Sequence, residues 1–78
     1  MSMVVLEKAT NLFGSPIPGG LWWVRAENPA QAFGVRSTLK RVEIPFVTYT
    51  DTLLGIGPED LRYTRNSLIS AGYTVQWG

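Results

Sequence analysis

Few residues of this chain could do covalent or proton-transfer chemistry. They are the carboxylates Glu7, Glu27, Glu43, Asp51, Glu59 and Asp60, the lysines Lys8 and Lys40, and serines such as Ser15, Ser37, Ser67 and Ser70. The 78 residues contain no histidine and no cysteine. The commonest general base and metal ligand is therefore missing, as are the thiolate ligand and the thiol nucleophile. A serine hydroxyl with no base beside it is a poor nucleophile. No two carboxylates are spaced as an acid/base pair. Glu59 and Asp60 directly follow Pro58 and fit the first turn of a helix, where the dipole favours anions. The stretch "GSPIPGG" has the glycines of a phosphate loop but not its Lys-Ser/Thr ending, and reads as a turn. The expectation is a protein that is not an enzyme and holds neither metal nor cofactor.

What remains is binding chemistry. Arg36, Lys40 and Arg41 in "RSTLKR" form the one basic cluster. It suits phosphate or an acidic protein, and equally the C-terminal dipole of a helix. The formal net charge is only +1, far from the excess of a typical nucleic-acid binder. No apolar run approaches the ~20 residues that span a bilayer, and the first one stops at Glu7, short of a leader core. A soluble cytoplasmic protein without membrane association is expected.

The elements that must position these groups follow from punctuation and periodicity. Residues 3–9 read as a short strand, 10–20 as a loop because of two prolines and several glycines, and 21–27, "LWWVRAE", as a strand. Asn28 suits an N-cap and Pro29 the first helical position, opening a helix that runs to about residue 39. Residues 41–50 alternate as a strand that Pro45 confines to an edge or a bulge. Residues 51–57 read as a loop and 58–71 as a second helix, with Gly72 as its left-handed cap. Residues 73–77 close the chain as a strand. The fold class is α+β, one small domain of order β-β-α-β-α-β, with two helices packed on one sheet face.

The period of two then assigns faces. Trp22, Val24 and Ala26 point to the core, and Leu21, Trp23, Arg25 and Glu27 away from it. Val42, Ile44 and Phe46 point inward; Val47 and Tyr49 share the outer face. Tyr73, Val75 and Trp77 point one way. In the second helix Leu61, Thr64, Leu68 and Ala71 form the apolar stripe with Ile69 beside them, while Arg62, Arg65 and Asn66 face water. Trp23, Arg25 and Tyr49 are thereby expected on an open sheet face, and their types are those enriched at interface hot spots. Apolar Leu12, Phe13 and Ile17 of the 10–20 segment are the alternative cover for Trp23.

The combination "WWVRAENPAQAF" followed by "VEIPFV" resembles small proteins of phages and mobile elements, and residues 22–77 share the simple α+β build of some anti-CRISPR proteins. The resemblance implies a non-enzymatic inhibitor or adaptor that occupies a protein surface, such as a CRISPR–Cas effector subunit. Strand parity and the basic cluster, not the resemblance, single out Trp23, Arg25, Tyr49, Arg36, Lys40 and Arg41 as the expected partner-binding residues. The alternatives are a nucleic-acid module using that sheet face with the 36–41 cluster, and a structural subunit that associates with copies of itself.

Overall fold

The computed structural model describes residues 3–12 and 15–78, with side chains described for 3–9 and 20–78. It is an α+β fold in which a five-stranded sheet carries two helices on one face. The strands are β1 (Met3–Leu12), β2 (Ser15–Arg25), β3 (Val47–Thr48), β4 (Leu53–Ile56) and β5 (Thr74–Trp77). Helix α1 spans Pro29–Arg41; α2 spans Leu61–Ser70 and follows a 3-10 turn at Pro58–Asp60. The spatial order is β3-β4-β2-β1-β5. All neighbours are antiparallel except β1 and β5, which run parallel because α2 carries the chain across the sheet.

One cross-strand row sets the core. Leu6 pairs with Val24, Val24 with Leu54, and all three are within 1% of fully buried. Val4 and Ile56 lie on the same face, and Val35 and Leu39 of α1 and Leu68 of α2 close over it. Ala26 is buried as expected, and Val42, Phe46, Tyr73 and Val75 pack around the margin. Trp22 points to this face but is only half-buried. Its row pairs with exposed Lys8, and β5 stops at Trp77, one row short of covering it. Trp77 is 55% exposed and meets Trp22 edge-on, the ring centroids 5.6 Å apart.

Four elements differ from the sequence expectation. Residues 10–12 and 15–20 are strand, not loop: the β1–β2 ladder continues through Asn11 with Pro16 and Leu12 with Ser15. Between these pairs and Ala9 with Leu21 the register shifts, and four residues of β2, including Pro18 and Gly20 at φ +81°, stand opposite one of β1. An irregularity of this kind accommodates proline and glycine in a strand. The expected packing of Leu12, Phe13 and Ile17 falls outside the described residues. Residues 51–57 contain β4, since Leu54 and Ile56 alternate into the core around Gly55. In 41–50 only Val47–Thr48 form ladder bonds, at the sheet edge. Ile44 still faces the core, set there by the turn that ends α1 and not by strand alternation. In α2, Ile69 is 44% exposed and Ala71 is exposed, leaving Leu61, Thr64 and Leu68 as a narrower buried stripe.

The helix ends explain the connections. At α1, Asn28 Oδ1 accepts from the Gln31 backbone N–H at 2.8 Å, and Gln31 Oε1 accepts from the Glu27 N–H at 2.7 Å. This is a reciprocal variant of the capping box. Both helices end in the same six-to-one turn. The Ile44 N–H donates to the Leu39 carbonyl at 2.9 Å, and the Tyr73 N–H to the Leu68 carbonyl at 3.1 Å. The left-handed position is Gly72 in one turn (φ +99°) and Glu43 in the other (φ +60°). A side chain at that position costs about 1–2 kcal/mol, partly offset by the greater freedom of an unfolded glycine. Glu43→Gly is therefore expected to raise stability by about 0.5–1 kcal/mol in urea denaturation. Thr64 is fully buried, and among the described residues its hydroxyl has no partner. Thr64→Val should stabilise by about 1–2 kcal/mol in the same measurement, because an unsatisfied buried hydroxyl is removed at constant shape.

Candidate functional site

The sheet face opposite the helices is built from the other parity of the same strands. Glu7, Trp23, Gly55 and Val47 form one row across four strands, with Val5, Arg25 and Leu53 in the next. The chain leaves β3 at Thr48 and turns through hydrogen bonds between Tyr49 and Leu53, which brings the Tyr49 ring back over the sheet. Trp23 and Tyr49 meet edge to face, centroids 4.7 Å apart at 81°. Such a pair adds about 0.5–1.5 kcal/mol beyond its buried area. Gly55 lies beneath them: a Cβ there would stand 2.9 Å from Tyr49 Cε2 and 3.0 Å from Leu21 Cδ2. The missing side chain is thus the space into which Tyr49 and Leu21 pack. The result is a half-buried Leu21, Trp23 and Tyr49 cluster edged by Val47, which is 52% exposed.

Arg25 stands two residues along β2 from Trp23, on the same face. Its Nε donates to Glu7 Oε1 at 2.7 Å, with the two side chains 50% and 34% exposed. An exposed pair of this kind contributes little to stability, up to ~1 kcal/mol. Its geometric effect is to hold the guanidinium alongside the aromatic pair. Trp23, Tyr49 and Arg25 are therefore brought to one face, as their parity predicted.

The basic cluster is not part of this face. Arg36, Lys40 and Arg41 belong to α1, which packs through Ala32, Val35 and Leu39 on the opposite side of the sheet. They are also dispersed along the helix. Arg41 lines a groove of ≈ 320 Å³ between the helices with Thr38, Tyr63, Asn66 and Ser67, while Arg36 and Lys40 lie one turn apart outside that groove. The 36–41 cluster and the Trp23 face therefore lie on opposite sides of the sheet. The six residues form two separate sets.

Sequence reasoning passed over a second cleft, of ≈ 270 Å³, lined by Leu61, Arg62, Arg65 and Trp77. Its signal was present in the i, i+3 spacing of Arg62 and Arg65 and in the shared parity of Val75 and Trp77. What joins the two is the long-range placement of α2 beside β5. Gly55 was missed too, because a glycine in "LLGIG" looks the same whether it breaks a strand or admits a ring.

Among the described residues no three His, Cys, Asp or Glu side chains are grouped to hold a metal ion, and no helix is long and apolar enough to cross a membrane. Comparison with protein-family models, with curated proteins and with solved structures finds no match to this chain.

The space above Gly55 can be tested directly. Gly55→Ala should destabilise by about 1–3 kcal/mol, as overpacked sites do. It should also reduce the near-ultraviolet dichroism of the Trp23–Tyr49 pair. Unchanged stability and spectrum would mean that the rings do not close over this glycine.

Proposed function

We propose that the chain is a non-enzymatic binding protein whose open sheet face docks a protein partner, with Trp23 and Tyr49 at the centre and Arg25 beside them. The observation that carries this reading is the edge-to-face Trp23–Tyr49 pair over Gly55, on the face that neither helix covers. A rigid aromatic pair presents large area at low entropic cost, and a guanidinium fixed by Glu7 keeps donors free for directional contacts. With no histidine or cysteine anywhere in the chain, the commonest general base and the thiol nucleophile are missing, which fits a role exercised by contact rather than turnover. Small size and the α+β build agree with the anti-CRISPR-like resemblance, under which the chain is an inhibitor or adaptor and the partner a CRISPR–Cas effector subunit.

The experiment is retention of a host protein on immobilised chain, comparing the native sequence with Trp23→Ala and with Tyr49→Ala. Loss of about 2 kcal/mol or more in binding is expected for Trp23→Ala, the range of a hot-spot residue. The melting temperature should fall by several degrees, because the contact with Tyr49 is lost, while the variant stays folded at the temperature of the assay. Full retention by the folded Trp23→Ala, Arg25→Ala, Tyr49→Ala triple variant would overturn the proposal. A concentration-dependent shift in gel filtration that these substitutions abolish would make the partner a second copy of the chain.

A further inference from the structure

The net charge of +1 conceals a division. Helices α1 and α2 contain Arg36, Lys40, Arg41, Arg62 and Arg65 and no carboxylate, so the remaining two cations stand with all six carboxylates elsewhere in the chain. Among the described residues none of the five helical cations makes an ion pair; the one that forms is Arg25 with Glu7, on the opposite face. Arg62 and Arg65 line the cleft with Trp77, and the Arg65 guanidinium lies 5.9 Å from the centroid of the Trp77 ring. Arg65 Nε is buried there without a hydrogen-bond partner. Lys8 is exposed on the helix-bearing side of the sheet, on the row next to Trp77, with Trp22 as its cross-strand partner.

We infer that this cleft is a binding site for single-stranded nucleic acid, taking one nucleotide at a time. Arg62 and Arg65 would hold consecutive phosphates and the exposed Trp77 ring would stack the base. A track of cations beside an aromatic platform is the general solution for single strands, because every base has a π-face and every linkage a charge. The cleft's ≈ 270 Å³ is on the scale of one nucleotide unit. The unpaired cations supply the charge complementarity; Glu59 and Asp60, in the turn that leads into α2, are the nearest carboxylates in sequence, and neither pairs with Arg62 or Arg65. This site shares no residue with the Trp23 face, so it stands or falls independently of the protein-docking proposal.

The test is fluorescence anisotropy with a labelled oligothymidylate of about ten nucleotides, within the usual single-strand site size. Binding should weaken with salt at a log–log slope of about −1.4, which is two phosphates at ~0.7 each. The Arg62→Ala, Arg65→Ala double variant should lose about tenfold in affinity or more and flatten that slope. Trp77→Ala should lose about fivefold or more, the lower end for one stacked base. Because Trp77 also meets Trp22, Arg62→Glu, at an exposed position, is the variant that tests the site without touching the packing, and it should abolish binding. Trp23→Ala should leave the oligonucleotide affinity unchanged. Absence of saturable binding at about 50 mM salt, an undiminished double variant, or equal binding of the matching duplex or of polyglutamate would each overturn the inference.

Discussion

The structure depends on the row Leu6–Val24–Leu54. It crosses the three central strands and is sealed from water by both helices. A domain this small has one modest core, and burying about 25 cal/mol per Å² of apolar surface on a single sheet face is its main source of stability. No disulfide assists it. Once Val24 is committed to that face, its neighbours Trp23 and Arg25 must point to the other. The open aromatic face is thus a consequence of the core, reached through the pleat of one strand.

The helices are tied to that row by their ends. Each returns to the sheet through the same left-handed turn, and each turn sets down an apolar residue on the core: Ile44 after α1 and Tyr73 after α2. At the other end of α1, Glu27 Oε1 accepts from the Met3 N–H at 2.8 Å and from Gln31 Nε2 at 3.3 Å. The start of β1 and the start of α1 are therefore linked through one carboxylate. These contacts fix both helices on the sheet with Lys40, Arg41 and Arg62 exposed, Arg36 and Arg65 half-buried, and no carboxylate on either helix to neutralise them.

The molecule consequently presents two surfaces of different chemistry. The open sheet face carries aromatic rings and a neutralised ion pair; the helical layer carries unpaired arginines and a tryptophan at its margin. The separation is enforced by the thickness of the sheet, since a side chain that leaves one face cannot reach the other.

Local rules were enough for the parts whose causes are local. Asn28 and Pro29 mark a helix start wherever they stand, Gly72 marks a left-handed helix end, and the period of two placed Val24 and Val75 toward the core and Trp23 and Tyr49 on a common face. The failures came where a residue's role depends on distant neighbours. Pro16 and Pro18 signal a loop until the ladder with β1 and its irregularity are known. Gly55 looks like a break until Tyr49 and Leu21 are seen to occupy its missing side chain. Glu43 gives no sign of a helix end, because its strained conformation is maintained by Leu39 and Ile44 burying together. The α+β class, the α1 boundaries to within two residues and the sheet-face partners were therefore determined by the sequence alone. The strand order, the removal of Arg36, Lys40 and Arg41 to the opposite layer, and the meeting of Arg65 with Trp77 were decided only by tertiary packing, because each depends on which elements cover the single buried face.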